Sequence, residues 1–321
     1  MLLFFGLLFT ALAAFAVINP PELIRLLNHR TYDSMLVGRP VPAASDVPVL
    51  IAIDEQSLQA FGQWPWPRYR IAQMIEQLRD LGATAIALDI LMPEADRTSP
   101  DVIFEERARD LGESFPAGSF PRGKGQNDLA LAAALRATPS ILGYKLLFDG
   151  PSTEQQSFPE PLQQVVVRRM EESKSHWPKA SGIIASRDLL SSSSRAGGFI
   201  NAKADSDGLL RRIPLLLSGG PGYYPSLALS ALLMTQADNQ IRINQLPGGT
   251  SLDLNGRRIP LDEQGNLLLA FRGRQRSFEY ISAAEVLAGK LPDQHLAGKI
   301  AFVGAWAVGL GDRHVTPFDS D

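Results

Sequence analysis

The sequence predicts an α/β fold: a mostly parallel sheet flanked by helices, carrying inserted antiparallel hairpins and preceded by one N-terminal transmembrane helix. Three observations carry that prediction. Short, wholly apolar runs such as residues 47–53 (VPVLIAI) and 83–88 (ATAIAL) read as strands buried on both faces, as in parallel sheets. Amphipathic stretches with helical spacing lie between such runs. The first eighteen residues hold no charge, in a chain that is elsewhere average at 45% hydrophobic and 20% charged.

Residues 1–18 (MLLFFGLLFTALAAFAVI) would span roughly 27 Å as a helix, against about 30 Å for the hydrocarbon core of a bilayer. They read as an uncleaved anchor, as a signal peptide cut after Ala14-Phe15-Ala16, or as a buried core helix. The anchor agrees best with the segment after it. Beyond Asn19-Pro20-Pro21 helical spacing resumes, with Leu23, Leu26, Leu27 and Tyr32 in step. With an anchor or a leader, the rest of the chain lies outside the cytoplasm. The expected organisation is an anchor at 1–18, a juxtamembrane helix and linker at 19–45, and one extracytoplasmic domain at 46–321.

Beyond the stiff joint Gly38-Arg39-Pro40-Val41-Pro42, residues 47–53 form the first strand. Pro67 opens a helix whose Ile71, Met74, Ile75, Leu78 and Leu81 make one apolar stripe, closed by Gly82. Residues 83–88 are the second strand. A polar, Gly- and Pro-rich stretch at 93–126 leads to Asn127 or Asp128, either of which can cap a helix running through Arg136. Residues 141–148 are the third strand, and this β-α-β-α-β order predicts parallel pairing. Residues 149–196, rich in Ser, Glu and Gln, read as a long irregular insertion. A hairpin is expected between 198–202 and 209–217 around the turn Asp205-Ser206-Asp207-Gly208. Residues 225–235 form a helix, Asn255-Gly256 marks a second hairpin, and 299–303 (KIAFV) return to the main sheet.

Composition excludes several classes of function. A net charge of -3 leaves no electrostatic footprint for nucleic acid. The chain has no cysteine, which removes thiol catalysis, cysteine zinc sites and disulfides. Its four histidines (His29, His176, His295, His314) are scattered, without an HExxH pair. The run Gly118 to Gly125 (GSFPRGKG) lacks the Ser or Thr of a phosphate loop and any preceding strand. Asp205-Ser206-Asp207-Gly208 lacks the later ligands of a calcium loop. No coherent catalytic set remains, so neither an enzyme nor a cofactor is expected.

Two places could carry chemistry of their own. Asp54 and Asp89 end the first two strands, where parallel sheets open a crevice for ligands. Two carboxylates there could hold a divalent metal or act as an acid/base pair; alternatively Asp54 caps the next turn and Asp89 binds loop backbone. In Gln63-Trp64-Pro65-Trp66-Pro67-Arg68, Trp64 and Trp66 could wall a ligand site with Arg68 pairing an anion. They could equally seal the sheet edge and start the helix.

The segment IAIDEQSLQAFGQWPWPRYRIAQMIEQLRDLGATAIALDILMPEAD resembles the opening of the CHASE domain of the second type, an extracytoplasmic sensory module of bacterial receptors. GFINAKADSDGLLRRIPLL, YYPSLALSALL and GKIAFVGAWAVGLGDRHVTPF continue the resemblance in order, over roughly residues 30–318. It implies a sensory domain with no chemistry of its own, set behind one transmembrane helix. Further membrane helices would come after Asp321, with a cytoplasmic nucleotide cyclase, histidine kinase or Ser/Thr kinase as output. It further implies a homodimer in the cell membrane that answers a small-molecule or envelope signal. On the family pattern fall Asp54, Trp64, Trp66, Arg68, Asp89, Asp207, Arg211, Arg212 and Asp312. Arg211 and Arg212 are expected to pair with the strand-end aspartates and hold the hairpin to the sheet. The competing readings are an extracytoplasmic metal-dependent hydrolase built on Asp54, Asp89 and Asp312, and a secreted solute-binding protein.

Overall fold

A computed structural model of the chain describes residues 4–7, 9–10, 15, 21–40, 45–112, 126–148, 165–169, 177–219, 222–236, 240–246, 249–273, 277–307 and 315–318. Residues 4–7, 9–10 and 15 are helical; helix α1 (Glu22–Val37) follows, then strand β1 (Pro48–Ile53), the short helix α2 (Glu55–Phe61) and helix α3 (Arg68–Asp80). Strand β2 (Ala85–Asp89), helices α4 (Pro100–Leu111) and α5 (Asn127–Ala137) and strand β3 (Ser140–Leu147) come next. The middle region holds β4 (Val165–Arg169), β5 (Lys179–Ala180), β6 (Gly182–Ile184), α6 (Asp188–Ser191) and β7 (Ala196–Phe199). After it lie β8 (Arg212–Pro214), β9 (Leu216–Gly219), β10 (Gly222–Pro225) and α7 (Leu227–Met234). The remainder is β11 (Ile241–Leu246), β12 (Gly249–Leu254), β13 (Arg257–Leu261), β14 (Asn266–Leu268), β15 (Glu279–Ser282), α8 (Ala283–Leu287) and β16 (Ile300–Ala305).

The main sheet runs β15-β1-β16-β2-β3, with β7 parallel and β6 antiparallel to β3. Every other pairing in it is parallel. The returning strand β16 sits between β1 and β2, as expected of a strand apolar on both faces. Its neighbour β2 shows the two-faced burial directly. Ile86 and Leu88 join the cluster formed with Ile71, Met74, Ile75 and Leu78 of α3 and Leu131 and Leu135 of α5. Ala85 and Ala87 join the opposite cluster, with Leu227 and Ala231 of α7.

Helix α7 is apolar nearly all round because it is covered on two sides. Its Leu227 and Ala231 meet the main sheet, while Leu229 and Leu233 join Ile241, Ile243, Leu252 and Leu254 under the second sheet, β13-β12-β11-β4. Close approach to β7 requires a glycine: a Cβ on Gly198 would lie 2.5 Å from the Leu227 Cα. Ser226 caps α7, its side chain accepting the Leu229 N–H at 3.2 Å.

Four expectations need correction. Residues 198–202 and 209–217 do not form a hairpin with each other. The turn at 205–208 is real, with Gly208 N–H donating to Asp205 O at 2.9 Å, but β7 pairs with β3, β8 with β14, and β9 with β10. Neither Asn127 nor Asp128 is the N-cap of α5; that position is Gln126, and both residues are buried in polar contacts instead. The polar stretch 93–126 contains α4, which opens with Pro100 at its first turn and ends at Gly112 with φ 66°. The insertion 149–196 carries β4, β5, β6 and α6. The Asn255-Gly256 hairpin stands, with φ 50° and 80° at the two positions joining β12 to β13.

Most of residues 1–18 lie outside the described residues, as does the rejected phosphate-loop run Gly118 to Gly125. Among the described residues no helix is long and apolar enough to cross a membrane.

Candidate functional site

Parallel strands bring Asp54 and Asp89 to the same edge of the sheet, but β16 lies between them. Ala52 is paired with Gly304 and Gly304 with Asp89, which puts two strand spacings, about 10 Å, between Ala52 and Asp89, with Asp54 two residues further along. Asp54 is fully engaged. Its Oδ1 accepts from Ser57 N–H at 2.9 Å, Ser57 Oγ at 2.6 Å and Ser282 Oγ at 2.8 Å; Oδ2 accepts from Tyr280 OH at 3.3 Å. Burial works to raise its pKa, yet these hydrogen bonds outweigh burial and hold it below the usual carboxylate range. It is the N-cap of α2 and, through Ser57 and Ser282, ties that helix to α8.

Asp89 is the contrasting group. Its side chain is exposed at the end of β2, while the surrounding protein desolvates it enough to raise its pKa. Beyond Ile53, Trp306 is 46% exposed and stacks edge-on with Tyr280 at 5.6 Å between centroids. Among the described residues, this end of the sheet offers Asp89 as a carboxylate without a hydrogen-bond partner and the partly exposed Trp306 as an aromatic surface. Asp312 lies outside the described residues.

The tryptophan string seals the sheet. Trp66 is 2% exposed in the core, donates through Nε1 to Gly62 O at 2.9 Å, and meets the half-buried Trp64 at 5.9 Å. Arg70 covers the outside, its guanidinium 5.2 Å from the Phe61 ring. Arg68 is buried and pairs with Asp128, which also binds Arg187. Its backbone N–H donates to Asp96 Oδ2 at 2.8 Å, and Asn127 Nδ2 donates to the same oxygen at 2.8 Å. Arg68 thus knits α3, α5 and the 93–99 loop together, with its charge already met inside the protein.

Arg211 does not pair with the strand-end aspartates. Its guanidinium is 2% exposed and grips three carboxylates. Two parallel bonds reach Asp33 on α1, at 2.8 and 2.7 Å; two reach Asp207, at 2.9 and 2.8 Å; one reaches Asp205 at 3.0 Å. Bidentate pairing of this kind fixes geometry as well as charge. Above all the bonds to Asp33 raise the Arg211 pKa, and Arg211 holds Asp207 down to about 2. Tyr32 adds a bond from its hydroxyl to Leu269 O at 2.8 Å, and Leu36 is buried. Arg212 beside it is exposed. These contacts latch α1 to the domain.

His29, Asp205 and Asp207 bring ligand-type atoms within 4.8 Å of one another. Both carboxylates are already bonded to Arg211. Beside the latch, Glu22, Leu26, His29, Ser206 and Asp207 line an open cleft of about 180 Å³. Sequence reasoning does not single out Asp33, His29 or Asp205 as site residues. Nothing local marks Asp33, which is an ordinary polar position on an amphipathic helix.

A protein-family model described as the CHASE2 domain matches residues 7–320, nearly the whole chain. The chain belongs to the CHASE2 domain family. CHASE2 domains are extracytoplasmic sensory domains of membrane receptors, and the family is sensory rather than catalytic. Comparison with curated proteins and with solved structures yields no match. In this CHASE2 domain the α1 latch combines charge, partial exposure and a fixed geometry.

Proposed function

We propose that this chain is the input unit of a bacterial transmembrane receptor, tethered by residues 1–18 and read out through α1. A ligand or envelope condition shifts the population between arrangements of the domain and α1. The shift passes through membrane helices to a cytoplasmic cyclase or kinase, with two copies of the chain working as a homodimer. The observation that carries this reading is the Arg211 latch. A helix that leaves the apolar segment is gripped by one buried guanidinium of the domain, so a change at the 205–211 segment changes what α1 feels.

Because the chain has no cysteine, topology can be tested with one introduced thiol. Lys290→Cys, on the exposed turn after α8, should react with a membrane-impermeant maleimide in intact cells and remain with the membrane fraction. Labelling only after the cytoplasmic membrane is opened would refute the extracytoplasmic placement. Recovery of a labelled but fully soluble chain would favour a released solute-binding protein.

A further inference from the structure

We propose that the α1 latch is a proton-responsive switch: protonation of His29 adds a second cation to a site where three carboxylates share one guanidinium, and so tightens α1 on the domain. The inference rests on the reading of α1 as the signalling helix, and it names the signal as pH.

His29 lies on α1 four residues before Asp33, on the same face. Its Nδ1 is 3.7 Å from Asp207 Oδ2. That is too long for a good hydrogen bond and well placed for an ion pair once the ring is charged. Histidine is the side chain whose ordinary titration falls between pH 5 and 8. The groups around it leave room for another positive charge. Among the described side chains, α1 brings Glu22, which lines the same cleft, Asp33, and the exposed Arg30 next to His29; from the turn come Asp205 and Asp207, both bound by Arg211. Arg212 and Arg39 act on the neighbouring Tyr32. Arg211 therefore supplies one positive charge against the three carboxylates it binds.

Access and constancy complete the device. His29 retains 19% side-chain exposure and lines the open cleft, so protons reach it without unfolding. Asp207, held down to about 2 by Arg211, stays ionised throughout the histidine range, and its partner charge is present whenever His29 protonates. Protonation of the ring gives the latch one more attraction. Partly exposed pairs of this kind are worth a modest amount, about a two- to fivefold rise in the ratio of docked to released helix.

The test is hydrogen exchange of the α1 amides in the full chain in lipid nanodiscs at pH 5.5 and 7.5, normalised to intrinsic exchange rates. Wild type should exchange about two- to fivefold more slowly at the lower pH, and His29→Gln should lose that difference. An equal pH response in His29→Gln, or none in wild type, overturns the inference. Asp33→Asn separates the two levels. If it releases α1 at both pH values while wild type shows no pH response, the latch stands and the His29 switch falls. If Asp33→Asn leaves α1 protected at both, the reading of α1 as a latched signalling helix falls, and the switch with it.

Discussion

At the scale of single residues, burial and partners separate carboxylates that look alike in sequence. Asp54, Asp89 and Asp207 all sit at strand ends or turns, yet one is a cap, one has no hydrogen-bond partner among the described residues, and one is half of an ion pair. Asp207 titrates lower in the folded chain than its ordinary 3.8, at about 2. Its contribution to stability is complete above the unfolded value and is lost as pH falls from about 4 to about 2. An acid titration followed by α1 protection should show that loss, and Asp207→Asn should remove it. Asp89 has the opposite sign, because desolvation by the protein around it raises it although it remains exposed: the ionised form destabilises the fold at neutral pH. Asp89→Asn should leave the midpoint of thermal unfolding unchanged or raise it slightly at pH 7. A clear fall would mean that Asp89 has a structural partner, and would remove it as the free carboxylate of the crevice.

At the scale of elements, the legible part of the fold is the part with local periodicity. The stripe Ile71, Met74, Ile75 and Leu78 identifies α3, and the apolar runs identify β1, β2, β3 and β16, because each buries a face that its own spacing announces. The hairpin expected around Asp205-Gly208 fails for a tertiary reason. The free edge of β3 accepts β7 in parallel, and glycine at 198 lets α7 come within contact of that strand. Periodicity carries no such information. Gly198→Ala should therefore cost about 1–3 kcal/mol, the range for overpacking a tight core, as read by chemical denaturation. A stability equal to wild type would show that α7 can move away from β7 freely. Helix α4 is legible in principle, through Pro100 and Gly112, but its polar face hides it.

At the scale of the whole molecule, the sequence resemblance locates the family, while the path from domain to helix comes only from the structure. Trp64, Trp66 and Arg68 serve packing and internal charge balance. Arg211 joins the turn at 205–208 to an N-terminal helix, across 178 positions of chain from Asp33. No local motif encodes such a pairing. That junction is the central claim: α1 and the domain form one body while Arg211 holds Asp33, and the body comes apart when it does not. The most direct measurement is the distance between spin labels at Asn28→Cys on α1 and Lys290→Cys on the domain, in the full chain in nanodiscs. One narrow distribution is expected in the otherwise native chain, and a broadened or shifted one in Asp33→Asn and in Arg211→Gln. The same narrow distribution in both variants would contradict the account.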